Sequence, residues 1–248
     1  MAKVPAAHFG RRPRRRLTPE EGLIDITVVL DRSGSMESCR DATIEGFNKF
    51  LEDQRKEEGR GRVSLFQFDN LVYEPVFEGK DLQEAPGLSR ETFVPRGDTS
   101  LFDAIGRTIN ATAARVEALP EGERPTQILF VVITDGHENA SKEFTRPMVF
   151  SMIEEHKVQY EWQFVFIGAD QDAIEAGRAM AVSRGASRGY AATPVGTAEV
   201  FGALSRSVSS YRVGGEAVRA DFFSPPTTGT NAPNPDPKWK SDTGAANS

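Results

Sequence analysis

The feature that most constrains the fold is an apolar stretch that ends in an acid and two closely spaced hydroxyls. Ile24–Leu30 is interrupted only by Asp25 and Thr27, and Asp31-Arg32-Ser33-Gly34-Ser35 follows at once. An apolar run of this length predicts a strand that is buried on both faces. Apolar residues then recur at three- and four-residue spacing, which predicts a helix, so the pentapeptide is expected at the edge where open α/β sheets bind ligands. The helical residues are Ile44, Phe47, Phe50 and Leu51.

The pentapeptide offers a set of oxygen ligands. Its alternating spacing lets the side chains of Asp31, Ser33 and Ser35 point the same way, and Gly34 is expected to permit an unusual backbone turn between them. Carboxylate and hydroxyl oxygens suit hard divalent cations such as Mg²⁺. The same residue types are common in turns and helix caps, so the pentapeptide alone leaves a purely structural role open.

Two further motifs favour the metal site. Gly97-Asp98-Thr99-Ser100-Leu101 precedes a predicted helix over 102–119, and Thr134-Asp135-Gly136 follows a second apolar run over 127–133. The ordered set Asp-x-Ser-x-Ser, Gly-x-Thr-x-Leu and Thr-Asp-Gly resembles the metal-ion-dependent adhesion site (MIDAS) of von Willebrand factor type A (vWA) domains. The resemblance covers roughly residues 22–212 and is to the stand-alone type found in bacteria and their viruses.

The resemblance implies a ligand set and a function. It implies that Ser33, Ser35 and Thr99 hold Mg²⁺ directly, with Mn²⁺ or Ca²⁺ as alternatives, while Asp31 and Asp135 lie mostly behind water. Neutral hydroxyls neutralise the cation poorly, so its open position suits an Asp or Glu carboxylate from a partner protein. The implied function is a magnesium-dependent protein-binding module rather than an enzyme. Stand-alone cytoplasmic relatives often work beside AAA+ ATPases of the MoxR type, which makes such an ATPase the expected partner.

The predicted fold is a doubly wound, Rossmann-like α/β sheet with helices on both faces. Six strands, mostly parallel, are expected in the order 3-2-1-4-5-6. Strands at 62–68 and 71–77 are expected to form an antiparallel hairpin through a two-residue Asp69-Asn70 turn. Pro75 places the returning strand at the edge of the sheet. The remaining predicted strands cover 162–167 and 187–191, and the remaining helices cover 147–156, 173–181 and 196–211, the last capped by Thr193.

Several polar residues near the motifs have open roles. Asp98 is an outer acid of the site or a helix cap, and Asp170 is a helix cap or an acid of the site. His137 is a base, a ligand or an exposed loop residue, with the loop residue favoured. Glu138 and Asn139 are expected close enough to the edge to touch a partner.

Composition narrows the class of protein. The chain has 248 residues, ample for one α/β domain, and a formal net charge of -6, which gives no support to nucleic-acid binding by the whole domain. Its one cysteine, Cys39, allows no internal disulfide and fits a reducing compartment. No apolar run is long enough to span a membrane, and the basic N-terminal region lacks the apolar core of a signal peptide. A cytoplasmic location is therefore expected.

The two ends of the chain differ from the centre. Residues 1–20 are expected to form a basic flexible arm, 21–223 the vWA domain, and 224–248 a disordered tail rich in Pro, Thr, Asn and Ser. Nucleic-acid binding through the arm is one alternative function, although interleaved aromatic residues are lacking.

A metal-dependent phosphoester hydrolase that uses His137 and Glu138 is the other alternative function. The first motif lacks the second aspartate of the phosphatases that form an aspartyl-phosphate intermediate. The chain also lacks a Gly-x-x-x-x-Gly-Lys-Ser/Thr phosphate loop. Both observations argue against the hydrolase.

Overall fold

A six-stranded sheet forms the centre of the structure, a computed structural model that describes residues 22–169, 173–214 and 221–223. The strands are β1 (Leu23–Asp31), β2 (Arg60–Phe68), β3 (Tyr73–Asp81), β4 (Gln127–Thr134), β5 (Gln163–Ala169) and β6 (Ser187–Tyr190). Their order in the sheet is β3-β2-β1-β4-β5-β6. Neighbouring strands are parallel except β2 and β3, which are antiparallel at one edge. The predicted fold class, strand order and antiparallel edge strand are confirmed.

Helices cover both faces of the sheet. They are α1 (Arg40–Lys56), α2 (Leu101–Glu117), α3 (Arg146–Tyr160), α4 (Ala173–Ala179) and α5 (Pro194–Gly214). Helices α1 and α5 pack together on one face, and α2 packs with α3 on the other. A short 3₁₀ helix, Gly34–Cys39, was not predicted and joins β1 to α1. The predicted cap of the last helix is confirmed, because the Gly196 N–H donates to Thr193 Oγ1 at 3.2 Å.

The core lies on both sides of the central strands. Every residue of β1 is buried, and so is every residue of β4 after Gln127. Successive strand residues face opposite sides, so a strand buried throughout must be covered by helices on each face. The continuous apolar runs in the sequence therefore mark the two strands that carry the metal motifs.

The turn between β2 and β3 differs from the prediction. It spans 69–72 rather than the two residues Asp69-Asn70, and β3 begins at Tyr73. The Asp69 N–H donates to the Val72 carbonyl at 2.9 Å. The Asp69 carboxylate accepts the N–H groups of Leu71 and Val72, each at 2.6 Å. A side chain that binds its own turn in this way favours a longer loop than the predicted hairpin turn.

Some predictions concern parts of the chain that the structure does not describe. The basic arm over 1–20, the tail over 224–248 and Asp170 all lie outside the described residues. The proposed limits of the domain therefore stay a prediction. Among the helices that are described, none is both long and apolar enough to cross a membrane.

Candidate metal centre

The strands β1 and β4 bring the first and third motifs together. They are parallel neighbours in which Leu30 pairs with Ile133, so the residues that follow them emerge side by side at one edge of the sheet. The Thr134 hydroxyl donates to Asp31 Oδ2 at 2.6 Å, and the Ser33 N–H donates to Asp31 Oδ1 at 2.7 Å. The Asp31 carboxylate is therefore fixed from both strands.

The two motif serines lie next to each other and next to Asp135. Ser33 Oγ and Ser35 Oγ are 3.1 Å apart, and the Ser35 hydroxyl donates to Asp135 Oδ1 at 2.6 Å. The predicted common direction of the serine side chains is confirmed. A serine whose hydroxyl donates to an acid leaves its oxygen lone pairs free to face a cation, which is the arrangement of an outer acid behind a ligand.

The second motif approaches from the loop before α2. The Gly34 N–H donates to the Gly97 carbonyl at 3.0 Å, which joins the two loops. The unusual backbone lies at Gly97, with φ 68°, and not at Gly34, where it was predicted, because Gly97 must turn sharply to reach the first motif. A Cβ on Gly136 would lie 2.6 Å from Thr99 Oγ1 and 3.7 Å from Ser35 Oγ. Glycine at this position keeps open the space that these hydroxyls share.

The electrostatics of Asp31 distinguish this site. Its side chain is fully buried, and burial raises its pKa to about 6, against the opposing effect of hydrogen bonds from Thr134 and Ser33. The nearby carboxylate of Asp135 raises the pKa further. Arg32 points elsewhere, to Asp69 and Glu74, each at 3.1 Å. The groups that hydrogen-bond to Asp31 are thus neutral, and a bound cation would supply the missing charge.

The donor set fits a hard cation. Three hydroxyls and two carboxylates from three separate loops converge at this edge. Within the described ranges there is no group of three or more His, Cys, Asp and Glu side chains arranged to hold a metal ion. Oxygen donors of mixed charge suit Mg²⁺, which retains several waters, better than a transition metal held by imidazole or thiolate.

Asp98 does not cap the helix that follows it. Its N–H donates to Asn70 Oδ1 at 2.9 Å, and Asn70 Nδ2 donates to Asp98 Oδ2 at 3.1 Å. The cap position of α2 is Ser100, which makes no side-chain capping bond. The Phe102 N–H in the first turn donates instead to Glu138 Oε2 at 2.9 Å. The helix-cap interpretation of Asp98 was therefore wrong, because an acid from another loop occupies that end of the helix.

The residues after the third motif have structural roles that the sequence did not reveal. Asn139 binds Thr99 twice: its Oδ1 accepts the Thr99 N–H at 3.0 Å, and its own N–H donates to the Thr99 carbonyl at 3.1 Å. The Glu138 carboxylate also accepts the N–H groups of Ala140 and Ser141 at 2.9 and 2.7 Å. Glu138 is thus committed to the loop and is poorly placed to act as a base. His137 is exposed, as favoured.

Comparison with solved structures finds proteins of the same fold. Proximal thread matrix protein 1 from the mussel byssus, solved with a zinc-occupied MIDAS motif, is 15% identical with a TM-score of 0.53, over 77% of this chain and 47% of that chain. The pilus adhesin SpaC from Lactobacillus rhamnosus GG is 15% identical with a TM-score of 0.54, over 79% of this chain and 31% of that one. A von Willebrand factor type A protein from Catenulispora acidiphila is 12% identical with a TM-score of 0.48, over 78% and 43%.

These similarities concern the fold. The chain spans less than half the length of each of these proteins. By sequence, neither a protein-family model nor a curated protein matches the chain. The order of strands, the antiparallel edge and the structural neighbours show that the chain has a vWA-like fold.

Proposed function

We propose that this edge of the sheet binds Mg²⁺ and that the bound ion recruits a partner protein through an Asp or Glu side chain. One observation carries the proposal: hydroxyls from separate loops converge beside Asp31, a buried carboxylate whose hydrogen-bond donors are neutral. In a site of this kind the buried carboxylate is not paired with a cationic side chain, and the surrounding oxygen atoms can bind a cation.

The roles of the residues follow from their contacts. Ser33, Ser35 and Thr99 would hold the ion directly, and Asp31 and Asp135 would accept hydrogen bonds from hydroxyls and retained waters. The contact of 2.6 Å between Ser35 Oγ and Asp135 Oδ1 supports that division. Mn²⁺ and Ca²⁺ are alternative ions, and zinc occupies the MIDAS motif in the mussel byssus protein.

The partner is expected to be acidic at its point of contact. Hydroxyl ligands donate no negative charge, so a bound divalent cation would retain strong attraction for a carboxylate. The function is then that of an adhesion or adaptor module rather than of an enzyme, in keeping with the pilus adhesin among the structural neighbours. The resemblance to stand-alone vWA proteins makes a MoxR-type AAA+ ATPase the proposed partner. The single, buried Cys39 supports a cytoplasmic location.

The proposal is tested by capturing partners from the source cell on the immobilised full chain, in Mg²⁺ and in EDTA. Ser33→Ala removes one proposed ligand, and Ser38→Ala is the matched control, since Ser38 lies within the 3₁₀ helix Gly34–Cys39 that Ser33 immediately precedes. We expect a partner that is retained by wild type and Ser38→Ala in Mg²⁺, and lost with Ser33→Ala or with EDTA.

Two results would contradict the proposal. A partner that ignores both EDTA and Ser33→Ala would place binding on another surface. Phosphate release from a generic phosphoester by the wild type, abolished in Ser33→Ala, would show that the site is catalytic.

A further inference from the structure

The turn over 69–72 is held rigidly from inside the protein. The Asp69 side chain is fully buried, and its Oδ1 accepts the N–H groups of Leu71 and Val72. Its Oδ2 accepts Nε–H groups from Arg32 and Arg96, each at 3.1 Å. One carboxylate therefore fixes both the backbone of the turn and the two arginines around it.

The same turn is fastened to the loop that carries Thr99. The Ser100 hydroxyl donates to the Asp69 carbonyl at 2.6 Å, and the Asn70 side chain makes two hydrogen bonds with Asp98. A Cβ on Gly97 would lie 2.3 Å from Asn70 Oδ1, which shows how closely the two segments approach. The turn therefore contacts the loop on both sides of Thr99, beside the proposed metal site.

Leu71 projects from this rigid turn into solvent. It is 72% exposed, although its backbone N–H is bound to Asp69. Since the backbone of the turn is already fixed, the turn itself would lose little conformational freedom when a partner covers the leucine. The leucine is thus a preformed apolar contact next to the metal site.

Charge restricts what can cover that leucine. The bound cation would be positive, and the Arg96 side chain beside the turn is 48% exposed. The nearby acid Asp98 hydrogen-bonds to the neutral side chain of Asn70, which does not cancel a carboxylate charge, so an apolar group suits the position over Leu71 better than a second acid does. A segment that is acidic at the metal and apolar at Leu71 suits both the positive ion and the exposed leucine. A basic segment would be repelled by the ion.

We propose that Leu71 helps to determine which partner segments bind. The partner segment carries an apolar side chain that packs on Leu71, and this side chain lies within a few positions of the metal-bound Asp or Glu. This inference rests on the proposed function and adds the apolar requirement to it. The metal supplies the attraction for the acid, and Leu71 selects among acidic segments.

The test is a selection from a library of displayed short random peptides against the full-length chain. The selections use wild type in Mg²⁺, wild type in EDTA, Leu71→Ser in Mg²⁺ and Val158→Ser in Mg²⁺. Val158 is the matched control, because it is 68% exposed and lies near the C-terminal end of α3, away from the metal edge. Thermal unfolding of the two variants checks that each exposed substitution leaves the fold intact.

For wild type and Val158→Ser, we expect the selected peptides to be enriched in an Asp or Glu with an apolar residue nearby. This enrichment should occur only in Mg²⁺. With Leu71→Ser the acid should remain enriched while the apolar residue is lost. A peptide selected on wild type should bind Leu71→Ser about tenfold more weakly, which is typical of truncating a buried apolar contact.

The outcomes separate this inference from the function on which it rests. Enrichment of an acid without an apolar neighbour, or the same apolar neighbour with Leu71→Ser, would overturn the inference and leave the metal-dependent function standing. If no magnesium-dependent acidic peptide were selected, the proposed function and this inference would both fall.

Discussion

Two buried acids at opposite ends of β1 have opposite surroundings. Asp25 and Asp31 are each 0% exposed, and they lie on the same face of the strand. Asp25 receives two hydrogen bonds from the Arg115 guanidinium, at 2.8 and 2.7 Å. Asp31 receives its hydrogen bonds from the neutral groups of Ser33 and Thr134. The first charge is balanced within the protein, whereas the hydrogen bonds that the described residues make to the second come from neutral groups.

The difference supports the proposal that the Asp31 end of the sheet is the functional one. A buried ion pair such as Asp25 and Arg115 joins α2 to the sheet and needs nothing from outside. A buried acid with a raised pKa and no cationic partner is unfavourable for folding, and such arrangements are concentrated at functional sites.

Breaking the balanced pair should have the largest effect on stability. Asp25→Ala leaves the Arg115 guanidinium, which is only 18% exposed, without its carboxylate. We expect a loss of about 3–5 kcal/mol in the free energy of unfolding, measured by urea titration. A loss below about 1 kcal/mol would show that the pair is not a structural anchor.

The pH dependence of the metal-free protein should reveal the unbalanced acid. The pKa of Asp31 is about 6 in the folded protein against an ordinary 3.8, so the folded state holds the proton more tightly than the unfolded state. The contribution of Asp31 to stability is therefore present below about pH 4 and lost as pH rises through about 6. The difference between these two pKa values corresponds to a change of about 3 kcal/mol in the free energy of unfolding.

The measurement is urea unfolding of wild type and Asp31→Asn in EDTA between about pH 4 and pH 7. Asparagine cannot ionise, so the advantage of wild type over the variant should shrink as pH rises. A difference that does not change with pH would mean that Asp31 has no raised pKa.

Magnesium should stabilise the folded protein through the Asp31 end of β1 and not through the Asp25 end. A ligand at a hundredfold excess over its dissociation constant stabilises the folded state by about 2.7 kcal/mol. We expect that gain for wild type and for Asp25→Ala, and none for Ser35→Ala. Thermal unfolding with and without Mg²⁺ measures the gain, and equal gains in wild type and Ser35→Ala would count against the ligand assignment.

The smallest effect is expected from a residue that only positions a ligand. Asn139→Ala removes the side-chain oxygen that accepts the Thr99 N–H at 3.0 Å. We expect Mg²⁺ affinity to fall about tenfold, which is about 1.4 kcal/mol, with the fold unchanged. Asn110→Ala, at an exposed position of α2, is the matched control. Unchanged affinity in Asn139→Ala would show that Thr99 needs no such support.

The sequence predicted those features that leave a local or periodic pattern. Continuous apolar runs identified β1 and β4, and parallel strands end at the same edge, so Asp31 and Asp135 could be placed together before the structure was known. The serines lie two positions apart on one loop, so their proximity was also predictable.

Contacts between distant loops left no such pattern. Asn139 supports Thr99 from 40 positions away, and Asp69 holds both Arg32 and Arg96 through a single oxygen. These bonds depend on how three loops meet above the sheet, which spacing along the chain does not encode. For the same reason the turn over 69–72 was predicted too short, and the exposed position of Leu71 beside the proposed metal site emerged only from the structure.

The most direct test of the central claim is calorimetric titration of Mg²⁺ into the metal-free chain, with Ser33→Ala and Ser38→Ala alongside. We expect saturable binding of one ion to wild type and Ser38→Ala, and no binding to Ser33→Ala. Indistinguishable binding to wild type and Ser33→Ala, or no binding to wild type, would contradict the assignment of this edge as a hydroxyl-based metal site.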